Sequence, residues 1–352
     1  TIGLSDTALT AGETAVVTIS FNEKVKDFDN SDVTVQNGTL STLSTTDGGK
    51  TWVGTFTPDA GVVDATNTIS LSAAYTDLVG NQGSSATSPN YAIDRQAPAA
   101  SIAISDTALK VGETATVTVT FSEKVLGFDL SDISADNGVL SNLATSDGGQ
   151  TWSATFTANA NVEDSTNVVQ VGTAFTDISG NGALSGASNT SNNYAIDSKA
   201  PTATIQLANE ALKAGQSTTL TITFSEKVAD FSNADVTVAN GSLGTLSSAD
   251  EGKTWTGSFT PATNMEDASN VITLANTYTD LAGNTGSTGV SGNYTLDTLA
   301  PTAVVSLKDG QGADITGLST GQSASVTITF NEAVKDFSNA DVTAPNGTLS
   351  TL

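Results

Sequence analysis

The 352-residue chain contains no cysteine and no histidine, a single methionine, and only 12 basic residues against 37 acidic ones. Without cysteine or histidine there can be no disulfide, no thiolate zinc site, no thiol nucleophile and no imidazole base. The formal net charge of −25 is a poor match to nucleic acid or to an anionic membrane surface, so neither partner is expected. No apolar run approaches the roughly 18 residues of a membrane span, no signal peptide is visible, and membrane insertion is not expected. A soluble fragment of a longer protein is expected, with dissolved divalent cations as the simplest partners of opposite sign.

What the chain does have is repetition. NYAIDRQAPAA at 90–100 returns as NYAIDSKAPTA at 193–203 and as NYTLDTLAPTA at 293–303. Strands of the type TISF end at Phe21, Phe121, Phe224 and Phe330, and Trp52, Trp152 and Trp255 each stand 31 residues after the first three of these. Asp77, Asp177 and Asp280 each follow the Trp by 25 residues. Constant register over this length indicates tandem modules. Their expected bounds are 1–96, 97–199, 200–299 and a truncated fourth, 300–352. The step between modules is Asp-x-x-Ala-Pro. Proline fixes its own φ and extends the residue before it, so this linker is short and stiff.

Within a module the hydrophobic period is two. Val17, Ile19 and Phe21 face one way, and Val117, Val119, Phe121 and Leu220, Ile222, Phe224 repeat them. Such alternation marks half-buried strands. Asn37-Gly38, Asn137-Gly138, Asn240-Gly241 and Asn346-Gly347 suit tight hairpins, as do Asp47-Gly48-Gly49 and Asp147-Gly148-Gly149. About seven short strands per roughly 100 residues predict an all-β fold of tandem immunoglobulin-like sandwiches placed end to end. The three Trp residues are expected in the cores.

Strand order then places the acids. In a sandwich of this kind the loops after the second, fourth and sixth strands share the N-terminal pole. Glu23, Glu123, Glu226 and Glu332 follow the second strand, and Asp77, Asp177 and Asp280 begin the last loop at the same pole. Asp94, Asp197 and Asp297 leave the preceding module. The expected junction sets are Asp94 with Glu123 and Asp177, Asp197 with Glu226 and Asp280, and Asp297 with Glu332. Asp64, Asp164 and Asp267 are expected in a loop facing each junction from below, with Asp6 and Asp106 nearby. Three carboxylates at one seam repel unless a cation joins them. Calcium accepts six to eight oxygens in irregular geometry and is preferred to magnesium. Gly80-Asn81, Gly180-Asn181 and Gly283-Asn284 are candidates to add a carbonyl or amide oxygen. Lys24, Lys124 and Lys227 directly follow the Glu, so a surface ion pair is the rival role for that residue, although neighbours on a strand point apart.

The ordered set YxIDxxAPT, GET, TFSEKV, DVT, NGxLS, DGGKTW and YTDxxGN resembles the bacterial Ig-like extender repeats of giant calcium-dependent adhesins of the RTX and biofilm-associated type. The resemblance implies a non-catalytic, monomeric rod: a stalk segment at the bacterial cell surface, exported by type I secretion. It also implies that junction acids are calcium ligands bridging neighbouring repeats. The glycine-rich GGxGxD calcium repeats of such proteins are absent from this stretch. An adhesive module that itself binds glycan, protein or ice is the alternative. Acids repeated in every module argue against an enzyme.

Overall fold

A computed structural model describes residues 1–184, 186 and 189–352. They form two compact units, Thr1–Lys199 and Ala200–Leu352. No helix among the described residues is long and apolar enough to cross a membrane.

The first unit holds two sandwiches of the same design. In the first, Ala15–Ser20 lies between Ile2–Leu4 and Thr51–Pro58, and Gly38–Leu40 and Ser44–Thr45 pair with the far side of Thr51–Pro58. The opposite sheet is built of shorter segments. Tyr91–Asp94 runs parallel to Ala8–Leu9 and antiparallel to Val63–Asn67. Ser70–Leu71 pairs with Val33–Thr34 and Ala86–Thr87, and Thr76–Asp77 pairs with Val25–Lys26. The predicted alternation is present: Val17, Ile19, Phe56, Ile69, Tyr91 and Ile93 from both sheets form one buried cluster. The second sandwich repeats this around Val117, Val119, Phe156, Val169, Tyr194 and Ile196.

Each Trp is half-buried against its core. Trp52 meets the Phe28 ring edge-on at 5.2 Å, and its indole N–H donates to the Gly49 carbonyl at 3.3 Å. The expected strands of the second sheet are interrupted. In the first module a 3₁₀ turn at Asn30–Asp32 forms because Asp29 and Asp32 cap one another's backbone, and this splits one strand. A shift of register between Tyr91 and Ile93 breaks another pairing.

The hairpin expected at Asn37-Gly38 is not one. Val33–Thr34 and Gly38–Leu40 belong to different sheets, so the chain crosses between layers there. Asn37 adopts φ +56°, and a Cβ on Gly38 would lie 2.6 Å from the Phe56 ring and 2.5 Å from the Thr57 carbonyl. The glycine is needed for close approach. Asp47-Gly48-Gly49 does close a hairpin, with Thr45 opposite Trp52.

In the second unit, residues 200–299 repeat the sandwich around Leu220, Ile222, Phe259, Ile272, Tyr294 and Leu296. Beyond it, Ala303–Lys308 pairs with Ser325–Phe330 and a 3₁₀ turn follows at Asn339–Asp341. Val304 and Val305 stay 71% and 60% exposed there.

Candidate metal centre

Three acids meet where the first two sandwiches join. Asp94 ends the Tyr91–Asp94 strand. Ile93 is buried in the core, so alternation turns Asp94 to the other face. Glu123 lies in the loop between Phe121 and Val125, both core residues. That loop is tied to the linker: the Ser122 N–H donates to the Ala99 carbonyl at 2.9 Å, and the Ala99 N–H to Ser122 Oγ at 3.0 Å. Asp177 ends the short strand Thr176–Asp177 and pairs directly with Val125. Lys124 alone therefore separates Glu123 from the partner of Asp177.

Asp177 organises the loop that follows it. Its Oδ1 accepts the Asn181 N–H at 2.8 Å and its Oδ2 the Asn181 side-chain amide at 2.7 Å. Gly180 closes the turn at φ +98°, a conformation glycine adopts without penalty. The loop then reaches the first sandwich. Ser179 Oγ donates to Asp94 Oδ2 at 2.7 Å, and Asn181 Nδ2 to the Asp94 carbonyl at 3.0 Å. The Ala11 N–H donates to Asn181 Oδ1 at 2.7 Å.

Each of Asp94, Glu123 and Asp177 places a carboxylate oxygen within 4.8 Å of the others, with Asp177 buried and the other two half-buried. Desolvation first, and then the charges of Asp177 and Asp94, push the Glu123 carboxyl above its ordinary value. At such separations two carboxylates repel by on the order of 1–3 kcal/mol, the lower figure applying where water screens them. The rival Glu–Lys pair is not formed: Lys124 lies over the Gly148 turn, and none of the ion pairs among the described residues takes Glu123. The donor set is oxygen only, crowded and anionic. That chemistry fits a hard divalent cation of the calcium type.

The other candidates are distributed as follows. Asp197 ends Tyr194–Asp197 as Asp94 ends its own strand, and Ser198 follows it buried. In the second unit Glu226 stands two residues before Val228, which pairs with Asp280. Asp280 is buried and accepts from the Gly283 and Asn284 N–H groups and the Asn284 amide at 2.7–2.8 Å. Asp297 is exposed at the end of Tyr294–Asp297, Glu332 is half-buried, and neither belongs to a group of three gathered carboxylates among the described residues. At the N-terminal pole of the first module, Glu23 and Asp77 line an open hollow of about 220 Å³ with Asn81.

Asp64, Asp164 and Asp267 lie on strands, not in a loop. Asp64 is opposite Ile93, one residue short of Asp94 and therefore on the other face of the sheet. They accept from the side-chain amides of Asn37, Asn137 and Asn240 at 2.8–2.9 Å, which ties the sheet crossing to the strand. Asp6 and Asp106 each accept the N–H two residues on, from Ala8 and Ala108, at 2.9 Å. These are local turns. Of the two groups Gly180-Asn181 is expected to offer, a backbone carbonyl or the side-chain amide, the amide turns its nitrogen to Asp177 and Asp94 and its oxygen to Ala11. Ser179 and Ala11 carry no sequence signal at all, because their contacts join residues 85 and 170 positions apart.

Tandem sandwiches of one design, with three carboxylates gathered where the first two join, define a repeat protein. The bacterial Ig-like domain family matches residues 1–93, 94–196, 197–296 and 297–352, and the chain belongs to that family. No curated protein matches the chain. Among solved structures, the ectodomain of mouse nectin-like molecule 4 is similar at 12% identity and TM-score 0.33, over 82% of this chain and 96% of that one. A tandem from titin is similar at 8% identity and TM-score 0.27, over 84% and 98%. The adhesin InvE of Yersinia pseudotuberculosis is similar at 16% identity and TM-score 0.24, over 56% and 58%.

Proposed function

We propose that the chain is a non-catalytic spacer of a bacterial surface adhesin whose joints stiffen when calcium is bound. The observation that carries this reading is the convergence of Asp94 from one module with Glu123 and Asp177 from the next. Alone, these three charges oppose the docking of the two sandwiches. A bound divalent cation supplies the positive charge that makes their proximity favourable. Asp177, held by its own loop, is the rigid member of the set. Asp94 brings the preceding module to it, and Glu123, the most strained electrostatically, responds most to the cation. Within their own module Glu226 and Asp280 are assigned the roles of Glu123 and Asp177, Asp297 that of Asp94 toward Glu332, and Glu23 and Asp77 carry the matching pair at the first module.

Extracellular modules bind calcium at about 10⁻⁴–10⁻³ M, so such joints are filled outside the cell and empty in the cytosol. A chain that is flexible before export and stiff afterwards follows. On the resemblance described above, the parent is a secreted protein of the RTX and biofilm-associated type, using type I secretion, and this segment acts as a monomeric rod. Calorimetric calcium titration of the full chain, with X-ray scattering in calcium and in EDTA, tests the reading. Calcium is expected to bind and extend the scattering envelope while strand content stays constant. An envelope indifferent to EDTA, with no heat of binding, overturns it.

A further inference from the structure

We propose that Asn181 is a positioning residue that clasps the first two sandwiches together without any metal. The amide of asparagine offers two N–H donors and one carbonyl oxygen. In Asn181 one donor goes to Asp177 of its own module at 2.7 Å, and the other crosses the seam to the Asp94 carbonyl at 3.0 Å. Its oxygen accepts the Ala11 N–H, again across the seam, at 2.7 Å. The side chain is 2% exposed. A buried amide with every donor satisfied in one arrangement is costly to pull apart, because separation strands its partners.

The two ends it holds are rigid. Asp94 terminates a strand paired on both sides, and Ala11 opens the Thr10–Glu13 turn, closed by the Glu13 N–H to the Thr10 carbonyl at 3.2 Å. Two bonds to separate elements of one module fix direction as well as distance. Asn81 supplies the contrast: it makes the same bond to Asp77, at 2.6 Å, yet is exposed and makes no contact to another module among the described residues. The clasp is thus a second use of a residue whose first use is local. It adds to the calcium reading and does not depend on it.

The absence of native cysteine permits clean spin labelling of the full chain at Thr57→Cys and Thr157→Cys, two exposed positions on equivalent strands. Electron–electron distances in EDTA then report docked against splayed joints. Asn181→Ala is expected to lower the docked-to-splayed ratio about tenfold, the effect of losing one to two hydrogen bonds. Ala11→Pro removes only the Ala11 donor, at a turn position followed by Gly12 at φ +86° that suits proline, and should lower the ratio as well. Asn81→Ala should leave it unchanged. An unchanged ratio in Asn181→Ala, an equal fall in Asn81→Ala, or a parent chain with no docked population in EDTA would overturn the clasp. The calcium isotherm of the parent chain is read separately, so a failed clasp and a failed calcium site give different results.

Discussion

The N-terminal poles of the first and second modules carry the same residues in different settings. In the first, Asp77 accepts from the Val79, Gly80 and Asn81 N–H groups and from the Asn81 amide, all at 2.6–2.9 Å. Those bonds, led by the Asn81 N–H, hold its carboxyl below the ordinary range. Glu23 and Asn81 are exposed. In the second, the loop is built the same way, but Asp177 and Asn181 are buried and Glu123 is pushed upward. The difference is the arrival of Asp94. A module folds its own acidic loop, and the neighbour converts a relaxed carboxylate pair into a crowded triad. Any cation dependence should therefore be a property of the joint and not of the loop.

The largest effect that would sharpen this contrast comes from removing the loop's central acid. Asp177→Ala strands the buried Asn181 amide and should cost the second module about 2 kcal/mol, or roughly 10 °C in melting temperature. It should also abolish the calcium response of the joint. Asp77→Ala should lower only the melting of its own module; scanning calorimetry with and without calcium compares them, and a lost calcium response in Asp77→Ala would break the comparison. A smaller effect is expected from Glu123→Gln. With one charge gone, the joint in EDTA should tumble more like the calcium form, while calcium affinity falls about tenfold. Glu23→Gln should change neither the tumbling of that joint nor its calcium affinity.

The smallest effect is on pH dependence, and it has opposite signs at the two poles. Glu123 titrates above its ordinary value in the folded joint. Its contribution to docking in EDTA is therefore full below that ordinary value and is lost as pH rises through the folded one. Asp77 titrates below its ordinary value, so its stabilisation is present above that value and is lost as pH falls through the folded one. Distance measurements of the joint and melting of the first module, both across an acid titration in EDTA, should move in opposite directions.

Periodicity of two and constant register sufficed to read the modules, their cores and the meeting of Asp94, Glu123 and Asp177, because each acid stands at a countable distance from a strand end. The same counting put Asp64 in a loop facing the junction, whereas it lies on the strand Val63–Asn67 opposite Ile93, on the other face from Asp94. Asn37-Gly38 has hairpin chemistry, yet the Phe56 ring beneath Gly38 uses that chemistry to change sheets. The contacts of Ser179, Asn181 and Ala11 were out of reach. They depend on how two finished sandwiches sit, and no local pattern encodes a bond between residues 170 positions apart.

The parallel pairing of Ala8–Leu9 with Tyr91–Asp94 has a mechanical side. These strands lie near the two ends of one module, so tension along the chain draws them in opposite directions and slides one past the other. Their hydrogen bonds are then loaded in shear, all at once, where a hairpin would unzip one bond at a time. Force applied along the chain would thus meet a group of bonds that must break together.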